Sequence, residues 1–179
     1  MTIPPYAIAT VLTVLWAYLS QRTGRRAPFV LASSSLGIVG YIILLSDHKP
    51  SVSYGGTILA AAGIYPSVAL SLAWPAANVS GQTKRAVACA LQITVGNLGA
   101  VLGTQLYRPK TSPHYHLGHG FACGYLIANL IVTSIIWFAL SRENRRRDAA
   151  GNGQWEGGLQ NFEHENWEGD ADPRWRFST

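Results

Sequence analysis

The sequence is poor in charged residues. Asp, Glu, Lys and Arg make up 13% of its 179 residues, whereas a soluble domain carries about 25%. A soluble core of this size would still need a charged shell, so the deficit indicates that lipid covers much of the surface. Together with a hydrophobic content of 48%, the composition is typical of an integral membrane protein.

Groups that support catalysis or metal binding are also scarce. Before residue 148 the only acidic residues are Asp47 and Glu143, and the sequence has no nucleophile elbow, no phosphate-binding glycine loop and no paired carboxylates. Its two cysteines fall within apolar runs, where a thiol behaves as a small hydrophobe. His114, His116 and His119 share one loop without a carboxylate or cysteine nearby. We therefore expect no enzyme activity, no disulfide framework, no metal site and no cofactor.

The basic residues lie in short clusters between apolar runs. Twelve of the fourteen Lys and Arg lie at or before residue 147. Nucleic-acid binding would need a basic face interleaved with aromatic residues, and the sequence lacks that arrangement. Positively charged membrane loops explain the clusters, and we expect no nucleic-acid partner.

Five uncharged apolar runs define the predicted architecture. Extended by their flanking residues to the length that a bilayer requires, they predict transmembrane helices at 3–20, 27–45, 54–74, 86–106 and 119–140. Residues 1–147 are thus expected to form an all-α membrane bundle. Residues 148–179 are rich in Gly, Asn, Glu and Asp and show no helical period, which predicts a flexible cytoplasmic tail.

Loop charges predict the orientation of this bundle. Nine basic residues follow the first, third and fifth spans, whereas three lie in the other two loops. Short cytoplasmic loops collect Lys and Arg, so the amino terminus is expected outside and the carboxy terminus in the cytosol. No basic residue precedes the first apolar run, so a cleavable signal peptide is not expected.

Two of these basic loops carry recognisable motifs. The first contains Arg22, Gly24, Arg25 and Arg26, where the glycine permits a tight turn and the arginines can neutralise helix carboxyl ends. The second contains Lys84 and Arg85. On chemistry alone, both fit ordinary cytoplasmic loops of a membrane protein.

The fourth span carries two distinct stripes. Gly96, Gly99 and Gly103 lie on one face, and the last two have the spacing that lets helix backbones approach closely, which predicts helix packing. A second stripe, about 120° away by the helical period, consists of Thr94, Asn97 and Thr104. A buried amide needs partners, so this stripe either lines a substrate path or bonds to another helix.

The third span contains Tyr65 before Pro66, and Asn78 at its basic end. Pro66 removes a backbone hydrogen bond near mid-span, which predicts a kink and a free carbonyl. Such a kink can border a substrate path, although kinks also occur without a function. Tyr65 and Asn78 join the candidate substrate-binding residues.

The chain resembles the carboxy-terminal half of a major facilitator superfamily transporter, specifically the fungal allantoate permease group of anion:cation symporters. The resemblance covers nearly everything from Pro4 to Arg147 and corresponds to helices eight to twelve of twelve. The residues that carry it are Arg22 to Arg26, Ala62 to Pro66, Trp74, Asn78, Gly81, Lys84 to Ala88, Gly96 to Gly99, Tyr107, Tyr115 to His119 and Asp172 to Phe177.

This resemblance implies uptake of a small organic anion, such as allantoate or nicotinate, with protons by alternating access at the plasma membrane. It also implies that an amino-terminal half is missing. The apolar runs contain no Asp, Glu, Lys, Arg or His, and His119 lies at the edge of an outside loop, so the proton-coupling residue is expected in the missing helices. Alternatively, the chain is a truncated, non-transporting membrane protein or a fragment that binds a partner.

Overall fold

The computed structural model describes residues 3–46, 49–106, 116–150, 170 and 175–179. Five helices follow one another along the chain: α1 (Ile3–Thr23), α2 (Ala27–Leu45), α3 (Pro50–Asn78), α4 (Gln82–Leu106) and α5 (His116–Ala150). Within these described ranges there is no β-strand. The predicted all-α fold class is confirmed.

Proline and glycine mark the helix boundaries. Pro28 and Pro50 occupy the first turns of α2 and α3, where a missing backbone N–H costs nothing. Two glycines with positive φ, Gly24 at 67° and Gly81 at 84°, make the turns after α1 and α3. Because L side chains rarely adopt this backbone region, the two turns require glycine.

Four helices, α2 to α5, are long and apolar enough to cross a membrane. Helix α1 is not among these four over its described residues, and its last turn carries Arg22. The chain is a multi-pass membrane protein. That α1 also crosses the membrane stays a prediction.

The tightest packing joins α2 to α3 through small residues. A Cβ atom added to Gly63 would lie 2.5 Å from the Gly37 Cα atom, and one added to Gly40 would lie 2.7 Å from the Ala60 Cα atom. In a membrane, where lipid is as apolar as the side chains, such close backbone approach is a main source of helix association. The α2–α3 pair therefore forms the centre of the bundle.

A buried polar cluster links three helices beside this contact. The hydroxyls of Ser34 on α2 and Ser67 on α3 are 2.8 Å apart, and Asn129 Nδ2 on α5 donates to Ser34 Oγ at 3.1 Å. Sequence reasoning did not single out these residues. Interhelical bonds of this kind add on average about 0.6 kcal/mol each in membrane proteins.

In contrast, α4 stands apart from the bundle. It contains no buried residue, and Val95 and Leu98 on it are 67% and 63% exposed. Its main contacts within the described residues are with α3 and α5. Most of its apolar surface is thus left to lipid or to protein outside the described part of the chain.

The carboxy-terminal region differs from the predicted flexible tail. Helix α5 continues to Ala150, ten residues beyond the predicted span, and it is supported outside the apolar run by the Glu143–Arg147 ion pair at 3.0 Å. Residues 175–179 lie against the helices through hydrogen bonds described below. Residues 151–169 and 171–174 lie outside the described part, as do Asp47, His114, Tyr107 and Tyr115.

Candidate functional site

The basic loops meet at one end of the bundle. Arg26 reaches α3, where its guanidinium donates to the Ala73 carbonyl. Lys84 at the start of α4 forms an ion pair of 3.2 Å with Asp170, whose carbonyl in turn accepts a bond from Arg147 of α5 at 3.3 Å. We call this region the basic end. The structure therefore places the three loop clusters together, as the alternation of loop charge predicts.

Within the loop motif the four residues have separate roles. Burial lowers the pKa of Arg26, which joins the loop to α3. Gly24 forms the turn, and its carbonyl accepts a hydrogen bond from the Ser178 hydroxyl at 3.2 Å. Arg22 and Arg25 are exposed, and so is Arg85, whose guanidinium is 3.5 Å from the Val79 carbonyl. Only part of the motif is thus a generic charged surface.

Asn78 lies at the basic end rather than beside the polar residues of α4. Its Nδ2 donates to the Ser178 carbonyl at 3.2 Å, and its Oδ1 accepts from the Ser178 backbone N–H at 2.7 Å. Both ends of the amide are therefore engaged by the chain's own carboxy-terminal segment. A role of Asn78 in substrate binding stays a prediction.

Tyr65 occupies a different level of the bundle. It is exposed on α3, and its ring packs edge-on against Tyr6 of α1 with ring centroids 5.9 Å apart. At about 1.5 Å per residue, Tyr65 lies about 20 Å from the α3 end. Thr94 lies about 18 Å from the start of α4, and since these helices are joined by a three-residue connection, the two residues share a depth.

The polar stripe of α4 is exposed along its length. Thr94 and Thr104 donate to carbonyls of their own helix at 2.8 Å, and Asn97 is exposed between them. Thr104 lies near the opposite end of the helix, about 33 Å from its start. By depth along the helices, Thr94 and Asn97 are level with Tyr65, whereas Thr104 and Asn78 lie toward opposite ends of the bundle.

Gln92 is a polar residue of α4 that sequence reasoning missed. Its Nε2 donates to the Ser71 carbonyl of α3 at 2.9 Å. Pro75 lacks the backbone N–H that would otherwise bond to that carbonyl four residues earlier. The pairing of an intrahelical proline with a glutamine on the next span was the available signal. In the described part of the chain, the Gln92 Oε1 atom is buried and has no hydrogen-bond partner.

This arrangement predicts that Gln92 and Pro75 are energetically coupled. In Gln92→Leu the Ser71 carbonyl loses its donor, and we expect the free energy of unfolding in mixed micelles to fall by about 1 kcal/mol. In the Pro75→Ala background the helix itself supplies a donor. The same glutamine substitution should then cost close to nothing, and equal costs in both backgrounds would contradict the assignment.

The glycines of α4 do not contact another helix. A Cβ atom added to Gly96, Gly99 or Gly103 would meet no atom within 4 Å. Helix packing at these glycines is therefore not made within the described residues. Close glycine packing occurs between α2 and α3 instead, because those two helices pack closely against each other whereas α4 makes few contacts with its neighbours.

The chain is similar in sequence to several fungal transporters. It is 36% identical to an uncharacterized transporter of Schizosaccharomyces pombe over 83% of this chain and 30% of that protein. It is 37% identical to an MFS-type transporter of Penicillium expansum over 82% of this chain and 30% of that protein. Its homologues are fungal membrane transporters.

A more distant relative has a named substrate. The high-affinity nicotinic acid transporter of Saccharomyces cerevisiae is 26% identical over 83% of this chain and 28% of that protein. The chain thus spans less than a third of the length of these transporters. No family model matches the chain. No solved structure matches it either.

Proposed function

We propose that the chain is part of a major facilitator-type secondary transporter that carries a small organic anion together with protons. The observation that supports this most directly is the uncovered α4, whose exposed Thr94 and Asn97 lie at about the same depth as the exposed Tyr65 of α3. Such a surface is suited to form one wall of a cavity whose other wall comes from elsewhere. Transporter sites of this kind lie near the membrane midplane, between two halves of the molecule.

In this proposal the substrate path passes Tyr65, Thr94 and Asn97, with Thr104 toward its far end. The orphaned Gln92 Oε1 atom provides a further acceptor between α3 and α4. The proton-coupling group is assigned to protein outside this chain, because the apolar runs of the five helices contain no carboxylate. The basic end is assigned to the cytosolic side of the membrane. The membrane itself is assigned as the plasma membrane.

A chimera tests the transport proposal. The matching segment of the Saccharomyces nicotinic acid transporter is replaced by this chain and expressed in cells that lack their own nicotinate uptake. We expect accumulation of labelled nicotinate or allantoate that a proton ionophore abolishes. A chimera that reaches the cell surface and accumulates neither anion would contradict the proposal.

Within the chimera, Asn97→Leu tests the substrate path. Loss of one substrate hydrogen bond of about 1.4 kcal/mol lowers uptake about tenfold. Val95→Leu is the matched control, because residue 95 lies about 200° around α4 from residue 97. Equal uptake by both variants would assign Asn97 to packing alone.

A second candidate function is a non-transporting membrane protein that binds a partner helix. It is favoured by the stripe of Gly96, Gly99 and Gly103, where an added Cβ atom meets nothing within 4 Å and a partner helix could approach closely. The variant Gly99→Leu, made in the chain expressed alone, distinguishes the two functions, because the larger side chain would block close approach of a partner helix. Loss of a partner that copurifies with the unaltered chain would favour the binding function.

A further inference from the structure

The last five residues of the chain, which we call the terminal strap (175–179), lie between α3 and α5 at the basic end. Asn144 of α5 bonds to both backbone groups of Phe177: its Nδ2 donates to the carbonyl at 2.8 Å, and its Oδ1 accepts from the N–H at 3.0 Å. Asn78 of α3 engages both backbone groups of Ser178 in the same way, at 3.2 and 2.7 Å. Two side-chain amides thus bind two consecutive residues.

This pattern is the one that a neighbouring strand makes in a β-sheet. The N–H and C=O of one extended residue point to the same side, and those of the next residue point to the opposite side. The amide of Asn144 therefore binds one edge of the strap and that of Asn78 binds the other. Both amides bond to backbone groups of the strap, so this part of the binding does not depend on the strap's side chains.

Additional contacts fix the strap in place and supply side-chain selectivity. The Ser178 carbonyl also accepts from Trp74 Nε1 at 2.7 Å, and the Thr179 carbonyl accepts from the Arg26 backbone N–H at 2.9 Å. The Arg147 guanidinium carbon lies 4.7 Å from the centre of the Phe177 ring, a cation–π contact. An aromatic residue followed by a small one fits this sequence of contacts.

The strap contacts elements that otherwise touch little. Helices α3 and α5 both pack on α2 but make few direct contacts with each other in the described ranges. The strap bonds to α3, to α5 and to the α1–α2 loop, while Asp170 just before it pairs with Lys84 of α4. The strap thereby connects the α1–α2 loop, α3 and α5 at the basic end, and Asp170 reaches the end of α4.

We propose that Asn78, Asn144 and Trp74 form a peptide-binding site whose ligand is the chain's own terminal strap, and that strap binding clamps the basic ends of α3 and α5 together. The ligand class is an extended peptide with an aromatic residue before a small one. When the strap is released, the carboxyl end of α3 loses this restraint, and so does the short connection that leads from α3 to α4. The site is independent of the transport proposal, since its contacts lie outside the polar stripe of α4.

Limited trypsin digestion of the full chain in lipid nanodiscs tests the clamp. Cleavage after Arg176 releases residues 177–179, which intact-mass spectrometry detects, and it requires the strap to leave its site. In the unaltered chain this cut should be slow. Because each bond shifts the docked population several-fold, the double substitution Asn78→Ala and Asn144→Ala should raise its rate about tenfold or more.

Asn97→Ala, on the exposed face of α4, is the matched control and should leave the rate unchanged. Equal rates in the double variant and the unaltered chain would overturn the proposal. If the rate of cleavage after Arg142 inside α5 rises as well, the double variant has unfolded. Hydrogen exchange of the unaltered chain then tests the clamp. Exchange at the Phe177 and Ser178 amides slower than in a free peptide supports the clamp, whereas free-peptide rates overturn it.

Discussion

Gly63→Val is expected to abolish folding of the bundle. A Cβ atom at this position would lie 2.5 Å from the Gly37 Cα atom and 2.7 Å from the Ser33 carbonyl oxygen. Those neighbours are backbone atoms, so no side-chain rotation relieves the overlap, and α2 and α3 must separate. The expected result is loss of the monodisperse peak in size-exclusion chromatography after detergent extraction.

Gly99→Val is the control for this substitution. It introduces the same side chain into a helix at a site where the added Cβ meets nothing within 4 Å. Because valine has a slightly higher helix propensity than glycine, the free energy of unfolding should change by less than about 0.5 kcal/mol. If the two variants behaved alike, the α2–α3 glycine contact would not be the centre of the bundle.

Arg26→Ala should be the most damaging substitution in the first basic loop. Its half-buried guanidinium donates to the Ala73 carbonyl and so fastens the start of α2 to α3. Loss of a charged hydrogen bond in such a place costs about 1.5 to 3 kcal/mol. Thermal unfolding of the purified chain, followed by circular dichroism, should show a transition lowered by several degrees.

Arg25→Ala provides the comparison, because residue 25 is exposed beside it. Removing an exposed charge changes stability by less than about 0.5 kcal/mol. A larger shift for residue 25 than for residue 26 would mean that net loop charge, rather than the bond to α3, controls stability.

Hydropathy predicts the helices of this chain better than their ends. Each apolar run corresponds to a helix, but α3 begins at Pro50 and ends at Asn78, beyond both limits of the predicted span at 54–74. Likewise, α5 extends through a basic stretch held by the Glu143–Arg147 pair. An apolar run marks the part of a helix that sits in lipid, whereas the helix itself continues wherever local pairing supports it.

Helix packing was less predictable, because a stripe of small residues does not reveal whether another helix faces it. The spacing of Gly99 and Gly103 is as suitable for close approach as that of Ser33 and Gly37. Only the second pair has a neighbour in the described chain. The choice between them depends on which helices lie side by side, and that is a property of the whole bundle.

The strap could not be found from its own sequence. Residues 175–179 have no apolar period, and composition alone favours a flexible segment. Their binding depends on Asn78 and Asn144, which are distant in the chain and come together only when α3 and α5 pack on α2.

Gln92, in contrast, could have been predicted from the sequence, since Pro75 indicates a carbonyl that needs a donor.

The isolation of α4 makes this helix sensitive to the bilayer. A helix packed on its neighbours has its tilt set by them, but α4 buries no residue in the described part of the chain. Its apolar part, residues 86–106, extends about 32 Å, which matches a hydrocarbon core of about 30 Å, so a thinner or thicker bilayer leaves a mismatch. A change in the length of the lipid acyl chains should therefore change the tilt angle of α4, while the angle between α2 and α3 stays the same.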